Sequence, residues 1–194
     1  MKTIAIIPAR GGSKRLQHKN IYPVFGKPMI AYTIEALKAC DFVDAIFVSS
    51  DDDAILQVAA YFGAIPIKRP EHLADDQTPK IEAIRQAVTD PAVQAENPID
   101  TIIVAQANSP ELDIFALTRG YELLNRHSLW EVMSADDSGV QNAAFRMVRL
   151  HALGNTFLSA HCGFVVANIR DIHTLEDVHA LEADPEFKAR HQPE

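Results

Sequence analysis

Three short runs rich in isoleucine and valine, at residues 3–7, 45–49 and 101–105, constrain the fold more than any other feature. They are too short to be helices and do not alternate apolar with polar side chains, which is the pattern of strands buried on both faces. Between them lie amphipathic stretches. "MIAYTIEALKAC" predicts a helix with Pro28 in its first turn, and "DDDAILQVAAYFG" predicts one with Ile55, Val58, Ala59 and Phe62 on its apolar face and Gly63 as its stop. "TPKIEAIRQAVTD" repeats the plan, with Thr78 as N-cap and Pro79 in the first turn. Strands alternating with helices predict an α/β sandwich around a mainly parallel sheet, whose ligands bind at the carboxyl ends of the strands.

After about residue 130 the alternation loosens. "LWEVMSADD", "AAFRMVRL" and "GFVVANI" read as strands, and "HTLEDVHALEAD" reads as a helix with Thr174 at its N-cap. This portion is expected to be antiparallel and to project as an oligomerisation flap. The tail "FKARHQPE" reads as polar and frayed. Without an internal repeat or a linker, residues 1–194 are expected to form one domain, with a reduced dimerisation lobe within 130–165.

A formal net charge of −8 gives the chain no global field for a polyanion, so nucleic acid is not an expected partner. Cys40 and Cys162 form no metal-binding spacing and suit a reducing compartment. No run approaches the roughly 20 apolar residues of a bilayer span, and the apolar part of "MKTIAIIPAR" is too short for a signal peptide. A cytoplasmic protein with no membrane partner is expected.

Against this acidic background, "PARGGSKRLQHKN" gathers Arg10, Lys14, Arg15 and Lys19 in one loop directly after the first strand. Gly11 and Gly12 would let backbone N–H groups approach an anion, while Arg10, Lys14 and Lys19 would neutralise a triphosphate. The loop lacks the second glycine of a Walker A motif, and no dinucleotide fingerprint is present; Asp51 alone is weak support for ribose binding. The bland alternative is a solvated loop with stray cations.

The same residues resemble the signature of the acylneuraminate cytidylyltransferase family, through Arg10, Ser13, Lys14, Lys19 and Asn20. "FGKPMIAYTIEAL", "VSSDDDAI", "RPEHLADD" and "VAQANSPE" are similar to further family segments in the same order, so the resemblance is dense over residues 1–112. It implies a three-layer nucleotide-diphospho-sugar transferase-like fold, with a mostly parallel sheet and a short C-terminal antiparallel extension. It also implies transfer from CTP to an acid sugar with release of pyrophosphate, a magnesium ion and a homodimer. Arg10 and Lys19 would neutralise the leaving pyrophosphate. Ala9, Gly11, Ser13, Lys14, Asn20, Arg69 and Asp76 would complete the nucleotide site. Asp76 has an alternative role as a cap for the helix near Pro79. Gln106, Asn108, Ser109 and Gly163 would face the sugar, whereas His161 reads as a packed or capping residue.

Two departures stand out. The family usually carries an arginine after Ser-Pro-Leu, where this chain has Glu111 and Leu112. Near the C-terminus the family shows Asp-x-Asp-[Ser/Thr]-x-x-Asp, where this chain has "DIHTLED". Asp171 would be the metal-linked catalytic carboxylate, with His173 in place of its partner, and Asp177 reads as a solvated residue of the final helix. One carboxylate plus triphosphate oxygens can hold magnesium, whereas imidazole suits transition ions better. Three other readings stay open: a sugar nucleotidyltransferase of another base or acceptor, an inactive nucleotide-binding subunit, and, disfavoured by the missing fingerprint, a dinucleotide-dependent oxidoreductase.

Overall fold

The computed structural model of the protein describes residues 1–75, 77–155 and 160–192. In chain order, β1 (Lys2–Pro8) leads through the basic loop and a single 3₁₀ turn (Lys19–Ile21) to a small ribbon of β2 (Pro23–Val24) and β3 (Lys27–Pro28), then α1 (Met29–Lys38). Next come β4 (Ala45–Ser50), α2 (Asp53–Tyr61), β5 (Ile65–Lys68), α3 (Lys80–Thr89) and the short α4 (Pro91–Gln94). β6 (Ile99–Ala105), α5 (Ile114–Arg126), β7 (Glu131–Ala135), β8 (Gln141–Arg149), β9 (Cys162–Val166), α6 (Leu175–Glu182) and α7 (Pro185–His191) follow.

Seven of these strands form one sheet in the order β5-β4-β1-β6-β8-β7-β9. All neighbours run parallel except at β8, which is antiparallel to both β6 and β7. The expected antiparallel extension is therefore a single reversed strand set inside the main sheet. β7, β8 and β9 continue that sheet rather than projecting from it.

The unbroken apolar runs become intelligible in the layering. Along β1, Ala5 and Ile7 pack with Ile30, Ile34 and Leu37 of α1, Ile55 of α2 and Leu117 and Leu124 of α5. Ile4 and Ile6 point the other way, toward Ile84 and Ala87 of α3 and Val93 of α4. Strand side chains alternate between faces, so helices on both sides demand apolar residues at every position. A third cluster joins Leu16 of the basic loop and Val24 of the ribbon to Met29, Tyr32, Ile172, Val178, Leu181 and Phe187. The ribbon turns through Phe25 and Gly26, both at positive φ, as a two-residue hairpin loop requires.

Several local expectations change. The tail is not frayed through residue 191: α7 begins at an Asp184 cap, and Phe187 is fully buried beside Phe25, Tyr32 and His191. Thr78 does not cap α3. Asp75 Oδ1 accepts from the Gln77 and Thr78 N–H groups, the Thr78 hydroxyl donates to the His72 carbonyl, and the helix starts at Lys80 behind Pro79. Pro28 likewise precedes α1 rather than occupying its first turn. Thr174 does cap α6, in a reciprocal box with Asp177. Asp177 is consequently half-buried, accepting from the His173 and Thr174 N–H groups, and α7 follows its helix. Those bonds hold its carboxyl below the usual carboxylate range, against a smaller opposing effect of burial.

Candidate active site

Three strand ends and one C-terminal turn make the site. After β1, the loop is closed at its base by Asn20, whose side-chain N–H donates to the Arg10 carbonyl at 2.8 Å, and its middle is anchored by buried Leu16. Gly11 is required for close approach, because a Cβ there would lie 2.7 Å from the Asp52 carboxylate. Its N–H donates to Asp51 Oδ1 at 3.0 Å, so it holds the loop against β4's carboxyl end instead of offering that group to a phosphate. Asp51 thereby has a structural task. Nothing crowds Gly12.

Arg69, just past β5, is buried. Its guanidinium donates to the Ser49 hydroxyl at 3.1 Å and the Ser49 carbonyl at 2.6 Å. Burial lowers its pKa and nearby Asp51 raises it. After β6, Gln106 is fixed through its backbone: the Thr33 hydroxyl donates to its carbonyl, and its N–H donates to the Ala144 carbonyl. Asn108 ties this loop to the C-terminal turn, donating from its amide to Asp171 Oδ1 and to the Ile172 carbonyl, while its own carbonyl accepts from Ile172 N–H.

These elements enclose a cleft of about 330 Å³ at the carboxyl ends of the parallel strands. Arg10, Ser13, Lys19, Asn20, Arg69, Gln106, Asn108 and Asp171, all singled out in the sequence, line it together. Lys14 lies in an adjoining hollow of about 350 Å³ shared with Arg10, Ser13, Arg15, Lys19 and His173. Ala9 is buried, its N–H donating to the Ser49 carbonyl, and its side chain does not reach the cleft. Ser109 is fully buried and is not a lining residue, which corrects its assignment to the sugar. Gly163 is also corrected: on β9 it lies against Leu129 and Leu123, where a Cβ would come within 2.8 Å of Leu129. It serves packing onto α5. The His161 ring packs on Trp130. Asp76 lies outside the described residues. Glu111, next to Leu112 in the segment where an arginine was expected, makes a two-oxygen ion pair with Arg170.

Lys80 and Asp75 are charged lining residues that sequence reasoning missed. A signal was available, because a lysine opening a helix opposes the helix dipole, which favours negative charge there. Lys80 remains solvent-exposed as a residue, yet burial around its ammonium lowers the pKa and Asp171 raises it. In half-buried Lys19 burial is again the main lowering cause. Arg15, Arg10 and Lys80 lower it further, and Asp171 opposes them. Arg10, Lys19, Arg69 and Lys80 therefore converge on the cleft with Asp171 among them and Asp75 also on its lining, so cations outnumber carboxylates among the described lining residues, an arrangement that favours a polyanion.

Both oxygens of Asp171 are engaged, Oδ1 by the Asn108 amide and Oδ2 by His173 Nε2 at 2.9 Å. Asp171 and His173 share the site. Among the described residues, however, no group of three His, Cys, Asp or Glu side chains gathers that could hold a metal ion. With an N–H donor on each carboxylate oxygen and ammonium groups facing it, the donor set does not fit a magnesium ion held at Asp171 by protein ligands alone. A larger hollow of about 490 Å³ lies between α5 and α7; its Arg119, Arg170 and Arg190 face Glu111, Asp113, Asp184 and Glu186, leaving no cationic field.

A parallel α/β sheet with a cationic cleft at its switch in strand order defines a nucleotide-binding protein of the three-layer type. The family described as Cytidylyltransferase matches residues 4–130. The chain belongs to that family, among whose curated members are pseudaminic acid and N-acylneuraminate cytidylyltransferases. It is 41% identical over 124 residues to the pseudaminic acid cytidylyltransferase of Campylobacter jejuni subsp. jejuni serotype O:23/36, covering 63% of this chain and 53% of that one. The chain thus spans about half the length of this curated relative. Its fold is similar to that of CMP:2-keto-3-deoxy-manno-octonic acid synthetase complexed with CTP, at a TM-score of 0.75 and 16% identity, covering 94% of this chain and 98% of that one. It is also similar to Rv0371c of Mycobacterium tuberculosis H37Rv in complex with manganese, at a TM-score of 0.68 and 12% identity, covering 93% and 98%. Among the described residues, no helix is long and apolar enough to cross a membrane.

Proposed function

We propose that this chain transfers the cytidylyl group of CTP to the anomeric hydroxyl of a nonulosonic acid such as a sialic or related sugar, giving a CMP-sugar and pyrophosphate. The observation that carries this reading is the meeting of Arg10, Lys19, Asn20, Arg69, Gln106 and Asn108 in one cleft from three separate parts of the chain. The names of the relatives supply the nucleotide and the acceptor class. In the reaction the anomeric oxygen bonds to the α-phosphorus. The bond from that phosphorus to the bridging oxygen breaks, its electron pair leaves with pyrophosphate, and the hydroxyl proton passes to solvent.

Such a transfer needs positioning and charge stabilisation more than covalent catalysis. Arg10 and Lys19 would neutralise the β- and γ-phosphates and the charge growing on the leaving group, with Ser13 and Asn20 bonding to phosphate or ribose. Arg69 would present its remaining N–H groups to the nucleotide, and Lys14 would attract it from the adjoining hollow. Gln106 and Asn108 would orient the sugar. Magnesium would arrive with CTP, on its phosphate oxygens. The protein would act as a cytoplasmic homodimer of single-domain chains, with the 130–165 region contributing to the contact. The exposed Phe164 and Val166 of edge strand β9 support that assignment.

The test is a pyrophosphate-release screen crossing CTP, ATP, GTP and UTP with sialic, pseudaminic, legionaminic and Kdo-type acids, run beside equilibrium binding of each nucleotide. Release with CTP and one acid class is expected. CTP-selective binding without turnover would favour a nucleotide-binding subunit, and equal affinity for all four nucleotides would remove the cytidylyl reading.

A further inference from the structure

The misfit between the cleft's donor set and a protein-held metal raises the question of what else faces a triphosphate there. His173 gives the first part of the answer. Its Nδ1 lies 3.2 Å from an Arg15 guanidinium nitrogen and 3.3 Å from Lys19 Nζ. Both neighbours are donors without acceptor capacity, so Nδ1 must be the accepting nitrogen and the ring proton sits on Nε2. From there it donates to Asp171 Oδ2. The imidazole is committed at both ends, carrying the pull of one carboxylate to two cations, and has no lone pair left for a metal.

Lys80 gives the second part. It reaches the cleft from the N-terminus of α3, where burial lowers its pKa and Asp171 raises it. Lys19 in turn is affected by Lys80, Arg10 and Arg15 as like charges. Four cations from two parts of the chain, the basic loop and the start of α3, therefore gather about Asp171. Like charges that repel one another in the empty cleft become favourable only when an anion joins them.

We propose that Lys80, with Lys19 and Arg15 oriented by the Asp171–His173 pair, supplies the positive charge that a carboxylate-held divalent ion would otherwise bring to the triphosphate. Asp171 is then a positioning residue, and Lys80 is a phosphate-binding residue whose ammonium stands in for the metal. The inference rests on the nucleotide reading above for the identity of the ligand. The cationic site itself rests only on the geometry.

The experiment is calorimetric titration of the full chain with inorganic tripolyphosphate and, separately, with CTP and ATP, each in EDTA and in magnesium. Tripolyphosphate is expected to bind in EDTA at least as tightly as in magnesium, since the uncomplexed anion carries more charge. Lys80→Ala should weaken binding in EDTA by about 10–100-fold, the effect of losing a charge-assisted hydrogen bond. Lys80→Arg should recover most of it, a result that loss of helix packing would not produce. His173→Asp, which releases Arg15 and Lys19 and adds a carboxylate, should make binding magnesium-dependent. Tripolyphosphate binding that requires magnesium in the wild-type chain, or Lys80→Ala binding unchanged in EDTA, overturns the proposal. CTP binding no better than ATP overturns the cytidylyl reading while leaving the cationic site supported. CTP-selective binding that needs magnesium does the reverse.

Discussion

Replacing Lys19 with methionine should make the empty protein more stable and the working protein nearly inactive. Lys19 Nζ and the Arg15 guanidinium both contact one nitrogen of His173, at 3.3 and 3.2 Å, so the two cations are at most about 6.5 Å apart. Two unit charges at that distance repel by about 0.6 kcal/mol in water and about 2.5 kcal/mol at an effective dielectric of 20. Arg10 and Lys80 act in the same sense and Asp171 against it. Methionine keeps the apolar stem and removes the charge. A net gain of about 0.5–1 kcal/mol is expected, or about 1–4 °C in melting temperature for a chain of this size. The gain should shrink in high salt, which screens the repulsion. The sign with pH follows from the lowered pKa of Lys19. The folded state releases this proton before the unfolded chain does, so wild-type stability should gain a component as pH climbs from that lowered pKa toward 10.5, and the variant should lack it. Turnover with CTP should fall by about 10²–10³, as when a donor to developing charge is lost. Differential scanning fluorimetry across salt and pH, beside pyrophosphate release, reads both effects. A variant that melts lower than wild type, or that turns over normally, would refute the account of the cleft as a strained cationic site.

Phe187→Ala should cost about 3–5 kcal/mol in denaturant unfolding, because the ring is fully buried among Phe25, Tyr32 and His191; a loss below about 1 kcal/mol would mean that α7 is not part of the core. Gly11→Ala would set a Cβ 2.7 Å from the Asp52 carboxylate, so a loss of about 1–3 kcal/mol and weaker CTP binding are expected, and unchanged values in both would contradict that packing. Asp177→Asn should cost about 0.5–2 kcal/mol at neutral pH as the capping box weakens. Since its folded pKa lies below 3.8, the wild-type contribution is complete above that value and is lost as pH falls through the lowered one. Melting curves between pH 2 and 7 should show that slope in the wild type and a reduced slope in the variant.

The sequence by itself determined what local chemistry can determine. Runs such as residues 3–7 could only be strands covered on both faces, and β1 divides its side chains between two cores. Thr174 and Asp177 were three residues apart at a helix start, and they cap α6. The basic loop after the first strand marked the cleft, because its residues are contiguous and their charge stands out from an acidic chain. Matters that depend on residues far apart in the chain were decided only by the tertiary structure. No local pattern says that β8 enters the sheet reversed between β6 and β7, since an antiparallel neighbour needs the same buried alternation as a parallel one. The tail reads as polar because, among its described residues, Phe187 alone is buried, and the pocket that takes it is built in part by the ribbon and α1, some 150 positions earlier. "DIHTLED" looked like a damaged metal motif when judged by spacing alone. In the folded chain Asn108, Lys19, Lys80 and Arg15 surround it, and charges brought together by the fold, rather than the spacing of two residues, set what Asp171 and His173 can hold.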